Sequence, residues 1–205
     1  MSWDKAREAV LEDGDLLLRA VEERDREQFR AIAFDEDIWR YFVVRVENDA
    51  DLDRFVADAV NDIRAGRRVV FSIIDKAANR IIGSMAYGNM SEKDARLEIG
   101  WSWLGREARG TGRNARAKLL LLEYAFETLG CERVEFKTDV LNKGARKGLL
   151  NIGATEEGTL RSFNPMPDNR RRDAVYYSIL KGEWPKVKAM LRARPFAPLA
   201  GQGPA

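Results

Sequence analysis

The chain has 205 residues, the size of one ordinary domain with a short extension. It carries 35 Lys and Arg against 33 Asp and Glu, a net charge of +2, and such a near-neutral balance argues against a dedicated nucleic-acid binder. With no histidine and Cys131 as its single cysteine, it excludes Ser-His-Asp and Cys-His chemistry, an internal disulfide and imidazole metal sites, so no metal centre is expected.

Met1 to Lys5 opens into a charged stretch with no apolar run of signal or membrane-span length, so a cytoplasmic protein with no membrane partner is expected. Asp15 to Val21 (DLLLRAV) reads as the first strand. Asp25 with Gln28 makes a capping box for a helix that carries Phe29, Ile32 and Ala33 on one face. Ile38 to Val46 is apolar and aromatic without a clean period. Asp51 or Asp53 is placed to cap a second helix, on which Phe55, Val56, Ala59, Val60 and Ile63 recur at helical spacing up to Gly66.

The period then changes to two. Val69 to Asp75 and Arg80 to Tyr87 form a hairpin, and Ala95 to Leu104 (ARLEIGWSWL) forms the next strand. A glycine loop leads into a helix over Ala115 to Leu129, stopped by Gly130, and Arg133 to Asp139 is again a strand. Asn142 starts a short helix that ends near Gly153. Strands Ala154 to Phe163 and Arg172 to Leu180 flank a turn, and a last helix runs from Trp184 to Leu191. One domain over 1–192 is expected, with 193–205 a disordered Pro/Gly/Ala tail. Antiparallel hairpins followed by one β-α-β crossover indicate a mixed α/β sheet.

The loop Arg109-Gly110-Thr111-Gly112-Arg113-Asn114 joins a strand to a helix. The helix start offers unpaired N–H groups and the positive end of its dipole, and the glycines allow close approach. A diphosphate is the natural guest. Three motifs compete for it. A P-loop would need Gly-Lys-Ser/Thr, and the chain has Gly112-Arg113-Asn114. Gly110-x-Gly112-x-x-Ala115 fits a dinucleotide fingerprint, but after strands that look antiparallel. Arg109 and Gly112 fit the acetyltransferase motif Arg/Gln-x-x-Gly-x-Gly/Ala, from which Asn114 departs.

LEIGW (97–101), RGTGRNARAKLLLLEYAF (109–126), the Asn142 helix with NIGA (151–154), and Arg172-Asp173 followed by YYSIL and Glu183-Trp184-Pro185 together resemble the GNAT superfamily of N-acetyltransferases. Within it the chain looks most like the branch of RimJ/RimL-type ribosomal-protein alanine acetyltransferases. The resemblance implies the GNAT fold, a mostly antiparallel mixed sheet with a central parallel pair that splays apart, and acetyl-CoA as cosubstrate. It implies that the pantetheine arm pairs with backbone at Ser102, Trp103 and Leu104. It further implies that residues Arg109, Gly110, Thr111, Gly112, Arg113 and Asn114 cradle the pyrophosphate, that Asn142 contacts the arm, and that Lys147 lies near the 3′-phosphate. The acceptor would be a primary amine, on a protein N-terminus or a small molecule, and homodimers are common in this branch.

Attack on a thioester needs a neutral amine, so a base must remove a proton. Glu98 matches an acidic position of many relatives. Strand alternation sets Glu98, Gly100 and Ser102 on one face and Leu97, Ile99 and Trp101 on the other. The short helix has no tyrosine to protonate the thiolate, and Ala145 stands where ribosomal-protein enzymes carry serine. Trp39, Tyr41, Trp101 and Phe163 are candidates to wall the acceptor site. Asp35, Glu36, Asp37, Glu47, Asp49, Asp51 and Asp53 could form an acidic rim attractive to a cationic acceptor. A non-catalytic acyl-CoA sensor and an NAD(P)-binding enzyme remain as rival readings.

Overall fold

A computed structural model describes residues 3–194; the tail from 195 onward lies outside the described residues. Among these, eight strands form one sheet in the order β1-β2-β3-β4-β5-β6-β8-β7. They are β1 (Leu11–Asp13), β2 (Leu16–Ala20), β3 (Val69–Asp75), β4 (Arg80–Ser91), β5 (Arg96–Leu104), β6 (Arg133–Asp139), β7 (Thr155–Pro165) and β8 (Arg171–Leu180). Every neighbouring pair is antiparallel except β5 with β6. The helices are α1 (Arg26–Ala33), α2 (Glu36–Trp39), α3 (Asp49–Ala65), α4 (Arg113–Glu123), α5 (Lys143–Asn151) and α6 (Trp184–Arg192).

The sheet is the middle of three layers. On one face α4, α5, α6 and an N-terminal turn at Trp3–Glu8 close over Phe71, Tyr87, Leu97, Ile99, Phe136 and Tyr177. On the other face α1, α2 and α3 pack Phe29, Trp39, Leu52 and Val56 against Val70, Ala86 and Trp103 of the sheet. Both faces of the central strands are covered, and β3 is accordingly apolar and buried along its whole length.

Local chemistry differs from expectation at three places. The first strand is a hairpin of two, β1 and β2, turning at Gly14, whose φ is +57°. Asp25 does not form a capping box with Gln28. Its buried carboxylate takes two hydrogen bonds from Arg19, at 2.6 and 2.8 Å, and one from the Ser72 hydroxyl at 2.7 Å. Gln28 instead accepts from the Ile81 backbone N–H at 2.7 Å. The cap of α3 is Asn48, whose side chain accepts from the Asp51 N–H at 3.0 Å, not Asp51 or Asp53. Gly66, at φ +68°, ends that helix as expected.

Candidate acyl-transfer site

The parallel pair β5–β6 is in register only from Arg96↔Arg133 to Glu98↔Glu135. Beyond Glu98, β5 continues to Leu104 with no strand paired to that edge among the described residues, while β6 runs on to Asp139 against β8. The strands therefore part into a notch whose apex is Glu98. Unpaired strand edges hold backbone donors and acceptors free to meet an extended chain.

A bulge re-aims β5 inside this notch. Ala86 of β4 pairs with Gly100 and Ser84 with Trp103, so Met85 alone faces both Trp101 and Ser102. Trp101 takes a positive φ of 50°. Leu97 and Ile99 point to the α4 side, but Trp101 and Trp103 join the cluster under α1–α3. The expected alternation is thus broken at Trp101, which shares the face of Glu98 and not that of Ile99. The Trp101 ring lies over Gly88, where an added Cβ would come within 2.4 Å of it.

At the mouth of the notch sits the glycine loop. Gly110 (φ +76°) and Gly112 (φ +86°) are both left-handed, and around Gly110 an added Cβ would meet nothing within 4 Å. Gly112 is the N-cap of α4, and no side chain caps that end. The first-turn N–H groups are thereby left for an outside acceptor, as a diphosphate requires. The side chains play other parts. Arg109 donates to the Leu104 carbonyl at 2.9 Å and to Asp35 at 3.0 Å, tying the loop to β5 and α2. The Thr111 hydroxyl donates to the Ala108 carbonyl at 2.7 Å. Arg113 is buried and held by Asp15 at 2.6 Å and Asp75 at 3.4 Å. Its contribution to an anion is confined to its backbone N–H.

One loop partner escaped the sequence reading. Lys118 is buried in α4, and its ammonium donates to the Asn114 side-chain oxygen. No carboxylate pairs with it among the described residues, and burial pushes its amine down to about 7. The signal was present: Lys118 stands among Leu119 to Leu122 and four residues after Asn114, where a side chain reaches back to the first turn. Across the notch, Asn142 caps α5 by accepting from the Ala145 N–H at 3.0 Å. Lys147 is exposed on that helix.

Glu98 is only 3% exposed. One of its oxygens accepts from the Asn89 amide at 2.7 Å and from the Lys137 ammonium at 3.3 Å. Lys137 in turn lies 5.0 Å from the Phe163 ring centre and 5.5 Å from that of Tyr176. Phe163 therefore stands beside the Lys137 ammonium. Nearby, Arg172 is buried with its Nε unpartnered, and burial lowers its pKa against the pull of Asp139 and Glu98.

On the α1–α3 face a pocket of about 550 Å³ opens beside β5. It is walled by Trp39, Phe42, Phe55, Trp101 and Trp103, with Ser84 and Pro167 among its other lining residues. Of the residues expected at the acceptor site, Trp39 and Trp101 line this pocket and Tyr41 and Phe163 do not, while Phe42 and Pro167 do. Trp103, anticipated for its backbone alone, also brings its ring. The expected acidic rim is largely neutralised, because Asp35, Asp37, Glu47, Asp49, Asp51 and Asp53 each pair with an arginine.

Comparison with known proteins agrees with this geometry. Residues 15–155 match the family model described as the acetyltransferase (GNAT) domain. "Uncharacterized N-acetyltransferase p20" of Bacillus licheniformis is 29% identical over 170 residues, covering 82% of this chain and 94% of that protein. "Putative ribosomal N-acetyltransferase YdaF" of Bacillus subtilis (strain 168) is 35% identical over 104 residues, 51% of this chain and 56% of the relative. Among solved structures, a "putative acetyltransferase from T. thermophilus" is 31% identical and superposes with a TM-score of 0.82 over 91% of this chain and 97% of its own.

Proposed function

The chain belongs to the GNAT acetyltransferase family, and from that premise we propose that it moves the acetyl group of acetyl-CoA to a primary amine by direct attack in a ternary complex. Enzymes of this family take acetyl-CoA as cosubstrate. The observation that carries the reading is the notch: a parallel pair that parts after three residue pairs, with an uncapped, glycine-led helix start at its mouth.

The residues fit the cosubstrate. The free edge of β5 at Ser102 and Trp103 would pair with the pantetheine amides. Leu104 borders them, although its carbonyl already accepts from Arg109. The backbone from Gly110 to Asn114 would hold the diphosphate, with the Lys118 ammonium as its counter-charge. Asn142 keeps its amide N–H₂ free of any described partner and would donate to the arm, and Lys147 would meet the 3′-phosphate. One catalytic domain over 1–192 carries all of these.

In the reaction the amine nitrogen forms a bond to the thioester carbon, the C–S bond breaks, and the thiolate leaves. An alkylammonium must first lose a proton. Glu98 would take it through water, its carboxylate positioned by Lys137 and Asn89. A backbone N–H at the bulge, beside Trp101, would stabilise the oxyanion. With Ala145 and no tyrosine in α5, the thiolate departs without a dedicated acid, and the further proton that the nitrogen sheds on becoming an amide passes to the thiolate or to solvent water. A protein N-terminus in the manner of the RimJ/RimL branch, or a small amine, is the acceptor class.

Calorimetry with acetyl-CoA, CoA and NAD(P), followed by thiol release against peptides and small amines, tests the reading. Binding of acetyl-CoA with amine-dependent thiol release is expected. Acetyl-CoA binding with no release on any amine would favour a sensor, and binding of NAD(P) alone would overturn the assignment.

A further inference from the structure

The walls of the pocket beside β5 describe the acceptor more closely, on the basis of the acetyl-transfer reading above. Five aromatic rings from α2, α3, β5 and the connecting segment meet there. Trp103 lies 5.4 Å from Trp39 and 5.9 Å from Phe55, and Trp39 lies 5.3 Å from Phe42, centre to centre. Rings offer broad contact to a flat or branched apolar body.

Charge on the rim cancels. Arg45 pairs with Glu47, Arg54 with Asp51, and Arg68 with Asp62. Asp58 is the one lining acid with no ion-pair partner among the described residues. Arg68 also lies 5.1 Å over the Trp101 ring, so a cation already occupies that ring's face. A polycation would find one carboxylate and a competing guanidinium.

At the floor two polar atoms are unsatisfied. The Ser84 hydroxyl and the Trp103 indole N–H are buried with no hydrogen-bond partner among the described residues. Ser84 and Trp103 are direct partners across the β4–β5 ladder, so both side chains stand on the same face of the sheet, and both residues line the pocket. Buried polar groups are nearly always paired, and an exception calls for an explanation.

We infer that the acceptor is an amine borne on an apolar, preferably aromatic, body with one neutral hydrogen-bond acceptor beside it, such as the carbonyl of an aminoacyl amide, and not a polycation. The Trp103 N–H donates to that carbonyl, and the Ser84 hydroxyl completes its second lone pair. The same chemistry occurs at a peptide N-terminus with a bulky apolar first residue and in a free amino-acid amide.

Acetylation is measured by mass spectrometry at saturating acetyl-CoA. The acceptors are phenylalanine amide, phenethylamine, spermidine, kanamycin, and tripeptide amides starting with Phe or Asp. Phenylalanine amide and the Phe peptide should exceed spermidine and kanamycin in kcat/KM at least tenfold, and the better of those two identifies the natural source. Trp103→Phe keeps a ring and loses the N–H. It should lower the ratio of kcat/KM for phenylalanine amide over phenethylamine roughly tenfold, and Ser84→Ala should lower it too. A preference for spermidine or kanamycin, or an unchanged ratio in both variants, overturns the inference while leaving acetyl transfer standing. Calorimetry in the presence of CoA separates the two readings: phenylalanine amide that binds without being acetylated supports the pocket and refutes transfer. No binding by either apolar acceptor refutes the pocket.

Discussion

Glu98 shows how little of a residue's chemistry lies in its identity. The motif LEIGW marks the position, but the ion pair with Lys137 and the amide of Asn89 come from other strands, 39 and nine residues away in the chain respectively. Glu98→Gln is expected to cut kcat about 10²- to 10⁴-fold with acetyl-CoA affinity kept, as read by stopped-flow thiol release and calorimetry. Full retained turnover across pH would remove Glu98 from the reaction. Lys118 gives a second test. Its amine sits near 7 in the fold against 10.5 in a free chain, so between those values the unfolded chain binds more protons. Stability should therefore rise with pH through that window, and be lowest, with both states charged, below it. Lys118→Met should flatten this slope and raise stability at pH 7 by roughly 1–3 kcal/mol, followed by urea melts. The same variant should bind CoA more weakly if the ammonium serves the diphosphate. On the acid side Asp25 acts oppositely. Burial pushes its carboxyl up, but Arg19, Ser72 and the Glu22 backbone outweigh it and hold the pKa below the usual value. Its contribution is present at neutral pH and is lost as pH falls through that lowered value.

Among the elements, those with a strong period were legible. Strand β6 matches its predicted bounds, and α3, α4, α5 and α6 fall where apolar spacing and glycine stops put them. The bulge in β5 was not legible, because GWSWL alternates cleanly on paper and nothing local announces that Trp101 turns over. The cause lies across the ladder: Gly88 leaves room for the ring, and Gly83 has no room for anything else. A Cβ at Gly83 would stand 2.2 Å from the Trp103 carbonyl oxygen. Gly88→Ala is expected to displace Trp101, lowering the melting temperature and the affinity for the acceptor, while Gly83→Ala should break the β4–β5 ladder and cost more. Circular dichroism melts of the two variants order these effects. The loop was legible as a glycine-led helix start, while the ion pairs of its arginines were not. Their partners Asp15, Asp35 and Asp75 are distant in sequence, and pairing at such range leaves no local mark.

For the whole molecule, charge is organised as a web of pairs and not as a field. The 35 basic and 33 acidic groups are interleaved across elements, so an acidic run such as 47–53 gives no acidic patch in three dimensions. No described helix is long and apolar enough to cross a membrane. The mixed sheet with one parallel pair could be argued from sequence, while the pocket could not, since it draws on α2, α3, β4, β5 and the turn before β8.

The parting of β5 from β6 makes the sheet two plates joined along a seam of three residue pairs. A seam that short bears little shear, so the plates should rock about it in the free protein. A molecule lying along the cleft stitches both lips. It then acts as a removable rivet, binding the joined form and not the separated one. Amide exchange on the open lip, 99–104, should slow sharply when CoA is added, and the melting temperature should climb with CoA concentration. Exchange along β3, far from the seam, should change much less.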